Sequence, residues 1–246
     1  MRSPRTAKPR RRGSQTLFEV SSPLSGRLRV VESRGTRRLV AAGQTLSAYP
    51  VSGDWSRLRR EYWWRAFEGL PLPPRPRVLL VGLGGGTQIH VLRDVAAPRA
   101  VTAVERDPLI IRVARDWFGV RATDDLEVIC GEAQVIVPRL IGSRRRFELV
   151  VEDATYADVT GYSLTLCRSL SRLVAPGGTL VANRHFRREA ALLAAAMAPL
   201  FQDVSQLRIR RDGENVVVRC VGRSTWTPPS TAPASRARSA GAVKPR

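Results

Sequence analysis

The sequence predicts an α/β fold with a mostly parallel sheet, and two observations carry the prediction. From Arg77 onward, short runs of Val, Leu and Ile alternate with amphipathic segments of helical length, which is the pattern of successive β-α-β units. The first apolar run, residues 78–81, stops at a cluster of glycines, and the second run ends on an acid, Glu105. The expected order is therefore strand, glycine turn, helix, strand and acid.

The same pattern places each element of this sheet. Strands are expected at 78–81, 100–104, 126–130, 147–151 and 179–183, and helices at 86–95, 107–117, 132–141, 162–173 and 188–200. A turn at 175–178 is expected to lead into the fifth strand. Two further strands, 206–211 and 214–222, flank Asp212-Gly213, a hairpin signal. Five parallel units and a terminal hairpin predict a seven-stranded sheet with an antiparallel edge. Dinucleotide-binding folds usually lack this hairpin, whereas the Rossmann-like class I S-adenosylmethionine-dependent transferases have it.

Ahead of this sheet, the sequence predicts a separate small antiparallel β-element. Its β-rich runs at 16–22, 26–33 and 36–43 are separated by turn signals. Residues 55–69 then predict an amphipathic helix with an aromatic face of Trp55, Tyr62, Trp63 and Phe67. The predicted divisions are a disordered basic tail (1–14), the β-element (15–54), a gate helix with a Pro-rich linker (55–76), the α/β domain (77–222) and a second disordered basic tail (223–246).

The formal charge of +20 lies largely on arginine and is partly concentrated at the two ends of the chain. Residues 1–13 carry six basic residues, residues 223–246 carry five, and neither segment has an acid. Such tails attract polyanions without specificity, so weak nucleic-acid association is one expectation, although no nucleic-acid-binding module is readable. The alternative is that the arginine bias reflects a GC-rich genome.

Composition also excludes several classes of protein. No apolar run reaches the roughly 18 residues of a membrane helix, and no signal-peptide core follows the basic N-terminus. We therefore expect a cytoplasmic protein without membrane association. The three cysteines, Cys130, Cys167 and Cys220, have no metal-ligand spacing and are odd in number, so we expect reduced thiols and no metal.

The glycine cluster and Glu105 predict a site for an adenosine-containing cofactor. Glycines between a strand and a helix let the backbone approach a ligand closely, and here they are Gly82, Gly84, Gly85 and Gly86. An acid at the end of the next strand, such as Glu105, can accept hydrogen bonds from two ribose hydroxyls. The alternative is that the glycines serve only a tight turn and that Glu105 caps a helix.

The carboxyl ends of the other strands add candidate residues, because ligands of open α/β sheets bind there. Arg106 follows the acid of the second strand and is assigned to the cofactor. The third strand leads to Glu132 and Ala133, which can meet the adenine edge with an acid or a backbone amide. The fourth strand ends in Glu152 and Asp153.

The segments VLLVGLGGGT, AVERDP, CGEA, ELVVEDATYAD and LVAPGGTLVAN together resemble the spermidine synthase (polyamine aminopropyltransferase) family of the S-adenosylmethionine-dependent transferase fold. The β-element and the Tyr-containing segment after it are similar to the small N-terminal domain of that family, so the resemblance covers residues 16–221. It implies a polyamine-biosynthesis transferase that moves an aminopropyl group from decarboxylated S-adenosylmethionine to a small-molecule amine. It also implies a homodimer paired through the small domain.

The resemblance implies a role for each matching residue. Gly82, Gly84 and Gly86 match the cofactor loop, Glu105 matches the ribose-binding acid, and Glu132 stands where the family has an Asp near adenine. Asp153 matches the acid that orients and deprotonates the attacking amine, and it is expected at the cofactor as well. That role is chemically necessary, because a protonated amine has no lone pair until a base accepts its proton.

Other positions depart from the family pattern. Gly85 stands where the family has an Asp that binds an amine, Tyr156 where it has a second Asp, and Trp63 where it commonly has a His. Gln44 lies two places early for the family's Gln. The candidates for substrate contact are Tyr62, Glu152, Tyr156 and Asp158.

Three functions are consistent with these residues. The first is aminopropyl transfer from decarboxylated S-adenosylmethionine to an amine. The second is methyl transfer from ordinary S-adenosylmethionine to an acceptor that the sequence does not name, since the amides of a glycine loop suit the methionine carboxylate. The third is a catalytically degenerate protein that binds polyanions through its tails. The preference for one form of the cofactor discriminates among them.

Overall fold

The computed structural model describes residues 13–121, 123–154, 160–211 and 213–224, which form two sheets. The smaller sheet is antiparallel, and its strands follow chain order: β1 (Gln15–Ser22), β2 (Gly26–Ser33), β3 (Thr36–Ala41) and β4 (Gln44–Pro50). The sequence predicted its first three strands, and β4 completes it. The terminal tails expected at 1–14 and 223–246 lie almost wholly outside the described residues.

The larger sheet has the predicted seven strands. They are β5 (Arg77–Val81), β6 (Ala100–Glu105), β7 (Leu126–Cys130), β8 (Phe147–Glu152), β9 (Val174–Arg184), β10 (Phe201–Arg211) and β11 (Gly213–Arg223). Their spatial order is β10-β11-β9-β8-β5-β6-β7. The strands from β5 to β9 are parallel, and β11 runs antiparallel to both of its neighbours. The parallel sheet with an antiparallel terminal hairpin is thus confirmed.

The helices of the α/β domain also agree with the sequence pattern to within a few residues. They are α2 (Thr87–Val95), α3 (Pro108–Trp117), α4 (Ala133–Gly142), α5 (Thr160–Ser171) and α6 (Arg187–Met197), and they follow a one-turn helix, α1 (Tyr62–Arg65). Local chemistry fixes the start of α3, because Asp107 accepts a hydrogen bond from the Leu109 amide (2.9 Å) and Pro108 occupies the first helical position. No helix in the described residues has the length and apolarity needed to cross a membrane.

The continuous helix predicted for residues 55–69 is wrong. The chain forms a 3₁₀ turn at Ser56–Leu58 and then the single turn of α1. Glu61 between them has an extended backbone (φ −82°, ψ 161°), which interrupts the helix. The bend lets Leu58 and Trp63 bury in one apolar cluster, so tertiary packing overrides the helical period. The turn predicted at 175–178 is likewise part of β9, which pairs irregularly with β8 at this end.

Apolar side chains of alternating direction cover both faces of the larger sheet. On β5, Leu79 and Val81 belong to one buried cluster, whereas Val78 and Leu80 belong to the cluster on the opposite face. This double burial is typical of parallel strands. Cys167 and Cys220 are buried and Cys130 is exposed; all three are free thiols.

The smaller sheet docks on the start of α2 and on the turn before it through hydrogen bonds between backbone groups and side-chain hydroxyls. The amide of Ala48 donates to Thr87 Oγ1 (2.9 Å), and the Thr87 hydroxyl donates back to the carbonyl of Ala48 (2.9 Å). One residue earlier on β4, Ser47 Oγ accepts a hydrogen bond from the Gly85 amide (2.6 Å). The smaller sheet therefore covers the glycine turn that joins β5 to α2.

Candidate active site

The glycine turn has a backbone that requires glycine at three positions. Gly82, Gly84 and Gly86 have φ values of +94°, +52° and +82°, which side-chain-bearing residues rarely adopt. A Cβ on Gly82 would lie 2.7 Å from the carbonyl oxygen of Asp153. The missing side chain therefore lets the turn pass against the end of β8, where Asp153 is placed.

Replacing Gly86 with alanine should destabilise the protein by about 1–3 kcal/mol. A Cβ there would lie 2.2 Å from Cγ2 of Val120, and the φ angle is unfavourable for alanine. Gly142 at the end of α4 is the matched control, because nothing lies within 4 Å of its Cβ position. Gly142→Ala should instead raise stability by about 0.4–1 kcal/mol. Urea denaturation of both variants checks this, and equal midpoints would contradict it.

Glu105 is held beneath this turn at the end of β6. Its side chain accepts hydrogen bonds from the amides of Leu83 (3.1 Å), Gly84 (3.3 Å) and Asp107 (3.0 Å). Burial raises the pKa of Glu105, and these amide hydrogen bonds oppose the rise. The cap of α3 is Asp107 rather than Glu105, so the alternative reading of Glu105 as a helix cap is wrong.

A pocket of about 70 Å³ opens where the predicted cofactor residues meet. It lies at the carboxyl ends of β5 to β8, and its lining includes Gly82, Glu105, Arg106, Glu132, Ala133 and Glu152. Arg106 and Glu132 face each other across it, with Nη1 3.8 Å from Oε1. We call this space the nucleoside pocket. Gly84 instead lines a second cavity.

That second cavity is larger, about 360 Å³, and lies between the smaller sheet, α1 and the glycine turn. We call it the acceptor cavity. Asp153 lines it and accepts three hydrogen bonds, from Tyr62 Oη (2.9 Å), Gln88 Nε2 (2.7 Å) and Asn183 Nδ2 (3.0 Å). The structure therefore brings together Tyr62 and Asp153, two of the residues that the sequence singled out.

The environment of Asp153 suits a base that works near neutral pH. Burial is the main cause that raises its pKa, to about 7, and the nearby charge of Glu152 adds to the rise. Hydrogen bonds from Asn183 and Tyr62 act in the opposite direction. A carboxylate with such a pKa can hold an ammonium group and accept its proton.

Glu152, expected to assist Asp153 with a substrate amine, has a different partner. Its carboxylate forms an ion pair with Arg184, and both side chains are 1% exposed. It also accepts a hydrogen bond from the Ala154 amide (3.2 Å). Glu152 lines the nucleoside pocket and not the acceptor cavity, so its position does not support acceptor binding. Tyr156 and Asp158 lie outside the described residues.

Gly85 does not line either cavity, although it was expected at the cofactor. A Cβ there would lie 2.8 Å from Cβ of Ser47 and 3.1 Å from the ring of Phe118. The position therefore has no room for an acid while the smaller sheet is docked. Gly86 is also absent from both linings. The ring of Trp63 packs against that of Tyr62, with centroids 4.6 Å apart and planes tilted by 35°.

The sequence reasoning missed several polar residues of the acceptor cavity. Asn183 lies near the end of β9, a position that the rule of carboxyl strand ends could have found. Gln88 lies in the first turn of α2, only 5% exposed, and its Oε1 has no hydrogen-bond partner in the described part of the chain. Arg38 of β3 and Glu61 reach the cavity from the other side, through a packing of the two sheets that no local pattern encodes.

Two curated proteins with similar sequences are both transferases. The chain is 33% identical over 116 residues to the eEF1A lysine and N-terminal methyltransferase of Danio rerio. This match covers 43% of this chain and 17% of that protein. The chain is also 28% identical over 119 residues to the polyamine aminopropyltransferase of Vibrio vulnificus (strain CMCP6). This match covers 47% of this chain and 40% of that protein. The matches thus cover less than half of either relative. No family model matches the chain.

Solved structures extend the likeness to most of the chain. Spermidine synthase from Thermotoga maritima superposes with a TM-score of 0.64 at 13% identity, covering 84% of this chain and 72% of that one. The fold is that of the class I S-adenosylmethionine-dependent transferases. Human methyltransferase-like protein 13 in complex with SAH shares this fold, with a TM-score of 0.51 and 21% identity over 65% of this chain and 76% of that one. The predicted fold class and the resemblance to spermidine synthases are confirmed.

Proposed function

We propose that this chain is an S-adenosylmethionine-dependent methyltransferase that acts on an amine and is built on a spermidine-synthase-like scaffold. Two cavities meet at Gly82, which lines both of them. The nucleoside pocket would hold the adenosine end of the cofactor, with Glu105 as the acceptor for ribose hydroxyls. The acceptor cavity would hold the reacting amine beside Asp153.

The residues present fit such a cofactor and an amine. The backbone of the glycine turn borders both spaces, since Gly82 lines the nucleoside pocket and the acceptor cavity and Gly84 lines the acceptor cavity. The buried Oε1 of Gln88 lacks a partner in the described residues and lies on the side chain whose Nε2 donates to Asp153. An amine donates N–H groups, so a carbonyl oxygen beside a carboxylate is a suitable pair of acceptors for it.

The packing of Gly85 is the observation that favours methyl over aminopropyl transfer. An aminopropyl donor carries a free ammonium group, and the loop position that holds an acid in spermidine synthases has no room for a side chain here. Ordinary S-adenosylmethionine instead carries a carboxylate beside its amine. Arg38 lines the acceptor cavity and has no ion pair within 4 Å among the described residues, so it can bind that carboxylate.

The chemistry required of the protein is modest. When bound, S-adenosylmethionine supplies an electrophilic methyl carbon: the amine nitrogen attacks this carbon while the carbon–sulfur bond breaks, and the electrons of that bond stay on sulfur. Asp153 accepts the proton of the ammonium group, which frees the nitrogen lone pair. Tyr62, Gln88 and Asn183 hold the carboxylate in one orientation, and in-line positioning supplies much of the remaining acceleration.

Aminopropyl transfer is the second candidate, and two observations favour it. The likeness to the spermidine synthase of Thermotoga maritima covers 84% of this chain, against 65% for human methyltransferase-like protein 13. In addition, Glu61 and Asp153 both line the acceptor cavity, and two carboxylates could offset the cost of burying an ammonium group.

Calorimetric titration with S-adenosylmethionine and with its decarboxylated form tests the proposal. The carboxylated form should bind at least about tenfold more tightly, which is about 1.4 kcal/mol. Arg38→Met should remove this preference, whereas Arg29→Met on β2, which lines neither cavity, should preserve it. A preference for the decarboxylated form would establish aminopropyl transfer instead. No binding of either form would favour the degenerate binding protein.

A further inference from the structure

A basic groove lies next to the acceptor cavity, and of its residues only Arg38 has a role in the methyl transfer proposed above. It has a volume of about 680 Å³ and is lined by residues from β2, β3 and the 3₁₀ turn. Four arginines line it, namely Arg34, Arg38, Arg57 and Arg60, against one acid, Glu61. We call it the arginine groove.

The charges of these arginines are not neutralised within the described residues. None of the four forms an ion pair within 4 Å there, whereas the neighbouring Arg37 is held by Glu32 (3.1 Å) and by the carbonyl of Trp117 (2.6 Å). Arg57 lies close enough to Asp54 to help lower the pKa of that acid, although hydrogen bonds from Ser56 are the larger cause. The groove therefore presents a positive field with its donors available for an anion.

The groove and the acceptor cavity are continuous. Arg38, Leu58 and Glu61 line both of them. A molecule that lies in the groove can therefore extend into the cavity where Asp153 holds the reacting amine. The groove can therefore select acceptors by the charged groups that lie next to the reacting amine.

We propose that the arginine groove binds an acidic polypeptide segment of the acceptor, whose amine enters the acceptor cavity; this inference rests on the proposed function. Arginine binds carboxylates with two parallel hydrogen bonds. The described lining contains hydroxyls of Ser33, Thr36 and Ser56 but no aromatic ring, so it offers no platform on which nucleic-acid bases could stack. An extended acidic peptide fits these groups better than a nucleic acid does, and a polyamine would be repelled.

Binding of labelled oligo-glutamate with a free α-amino group to the full-length protein tests the proposal. Oligo-glutamine of the same length and oligo-uridylate are the comparison ligands. Oligo-glutamate should bind more tightly than both, and its affinity should fall as salt is added, because exposed charges are screened. The double substitution Arg57→Glu and Arg60→Glu should weaken its binding at least about tenfold. Neither residue has been placed at the cofactor or at Asp153.

Arg172→Glu with Arg188→Glu is the matched control, since it changes the net charge equally at exposed positions outside both the groove and the cavity. This control should weaken binding much less than the groove variant. Equal weakening, tighter binding of oligo-uridylate, or no preference for oligo-glutamate over oligo-glutamine would overturn the proposal. Calorimetry with S-adenosylmethionine on the same variants separates the two proposals, because the groove variant should keep its cofactor affinity. Groove-dependent peptide binding without cofactor binding would overturn methyl transfer alone.

Discussion

Replacing Asp153 with asparagine should lower kcat by about 10²–10⁴-fold, the usual contribution of a positioned acid or base. Asparagine keeps the shape of the side chain and can still accept hydrogen bonds from Tyr62 and Gln88, but it cannot accept the proton of an ammonium group. Affinity for the cofactor should change little. Single-turnover methyl transfer and calorimetry on the same preparation measure the two effects. Asp94→Asn, at an exposed position of α2, is the control and should keep full activity.

The raised pKa of Asp153 adds a pH dependence to this prediction. In the native enzyme, the rate should rise as pH increases through about 7, because only the ionised carboxylate accepts a proton. Folding stability should change in the opposite direction and fall as pH rises. A carboxyl whose folded pKa is raised stabilises the protein fully below its unfolded pKa, and this contribution is lost as pH rises through about 7. Asp153→Asn should therefore flatten the decline in stability between pH 4 and pH 8. Unchanged kcat and an unchanged pH profile would remove Asp153 from the mechanism.

Arg184→Met should destabilise the protein by about 3–5 kcal/mol, because it leaves the Glu152 carboxylate buried without its cation. Both side chains of this pair are 1% exposed, and Arg184 also donates to Cys167 Sγ (3.0 Å). The double variant Arg184→Met with Glu152→Leu should recover much of the loss, since it removes both buried charges. Chemical denaturation measures each step.

An exposed ion pair provides the comparison. Arg187 and Glu214 lie 2.9 Å apart, with side chains 61% and 34% exposed. Arg187→Met should cost no more than about 1 kcal/mol. A loss at Arg184 as small as this would show that the buried pair contributes little, and a double variant less stable than Arg184→Met would contradict the role of the unpaired carboxylate.

The parts of the fold that depend on local sequence were predictable. The apolar run at 78–81 and the acid at 105 located β5, β6 and the nucleoside pocket, because β5 and β6 pair in parallel and end at the same edge of the sheet. The hairpin at 212–213 distinguished this fold from dinucleotide-binding folds. Each of these features is determined by a few neighbouring residues, and tertiary packing does not change it.

The acceptor cavity depends on contacts between segments that are distant in sequence. Gln88 meets Asp153 from a position 65 residues away, and no period or motif relates the two. Tyr62 lies 91 residues from Asp153 and was a candidate only through the family resemblance. Glu152 was assigned to the substrate because it neighbours Asp153, yet consecutive strand residues point to opposite sides, and Glu152 turns to Arg184 instead. The prediction of a helix at 55–69 was wrong for a related reason, since burial of Leu58 and Trp63 determined the backbone conformation there.

The smaller sheet, docked on the glycine turn, and the larger sheet supply different parts of the site. The larger sheet supplies Glu105 and the rest of the nucleoside pocket, whereas Gln44, Leu46 and Ser47 of β4 line the acceptor cavity and not the nucleoside pocket. Substitutions at Gln44 on β4 can therefore change the shape of the acceptor cavity without touching Glu105 or Arg38, the two residues proposed to hold the donor.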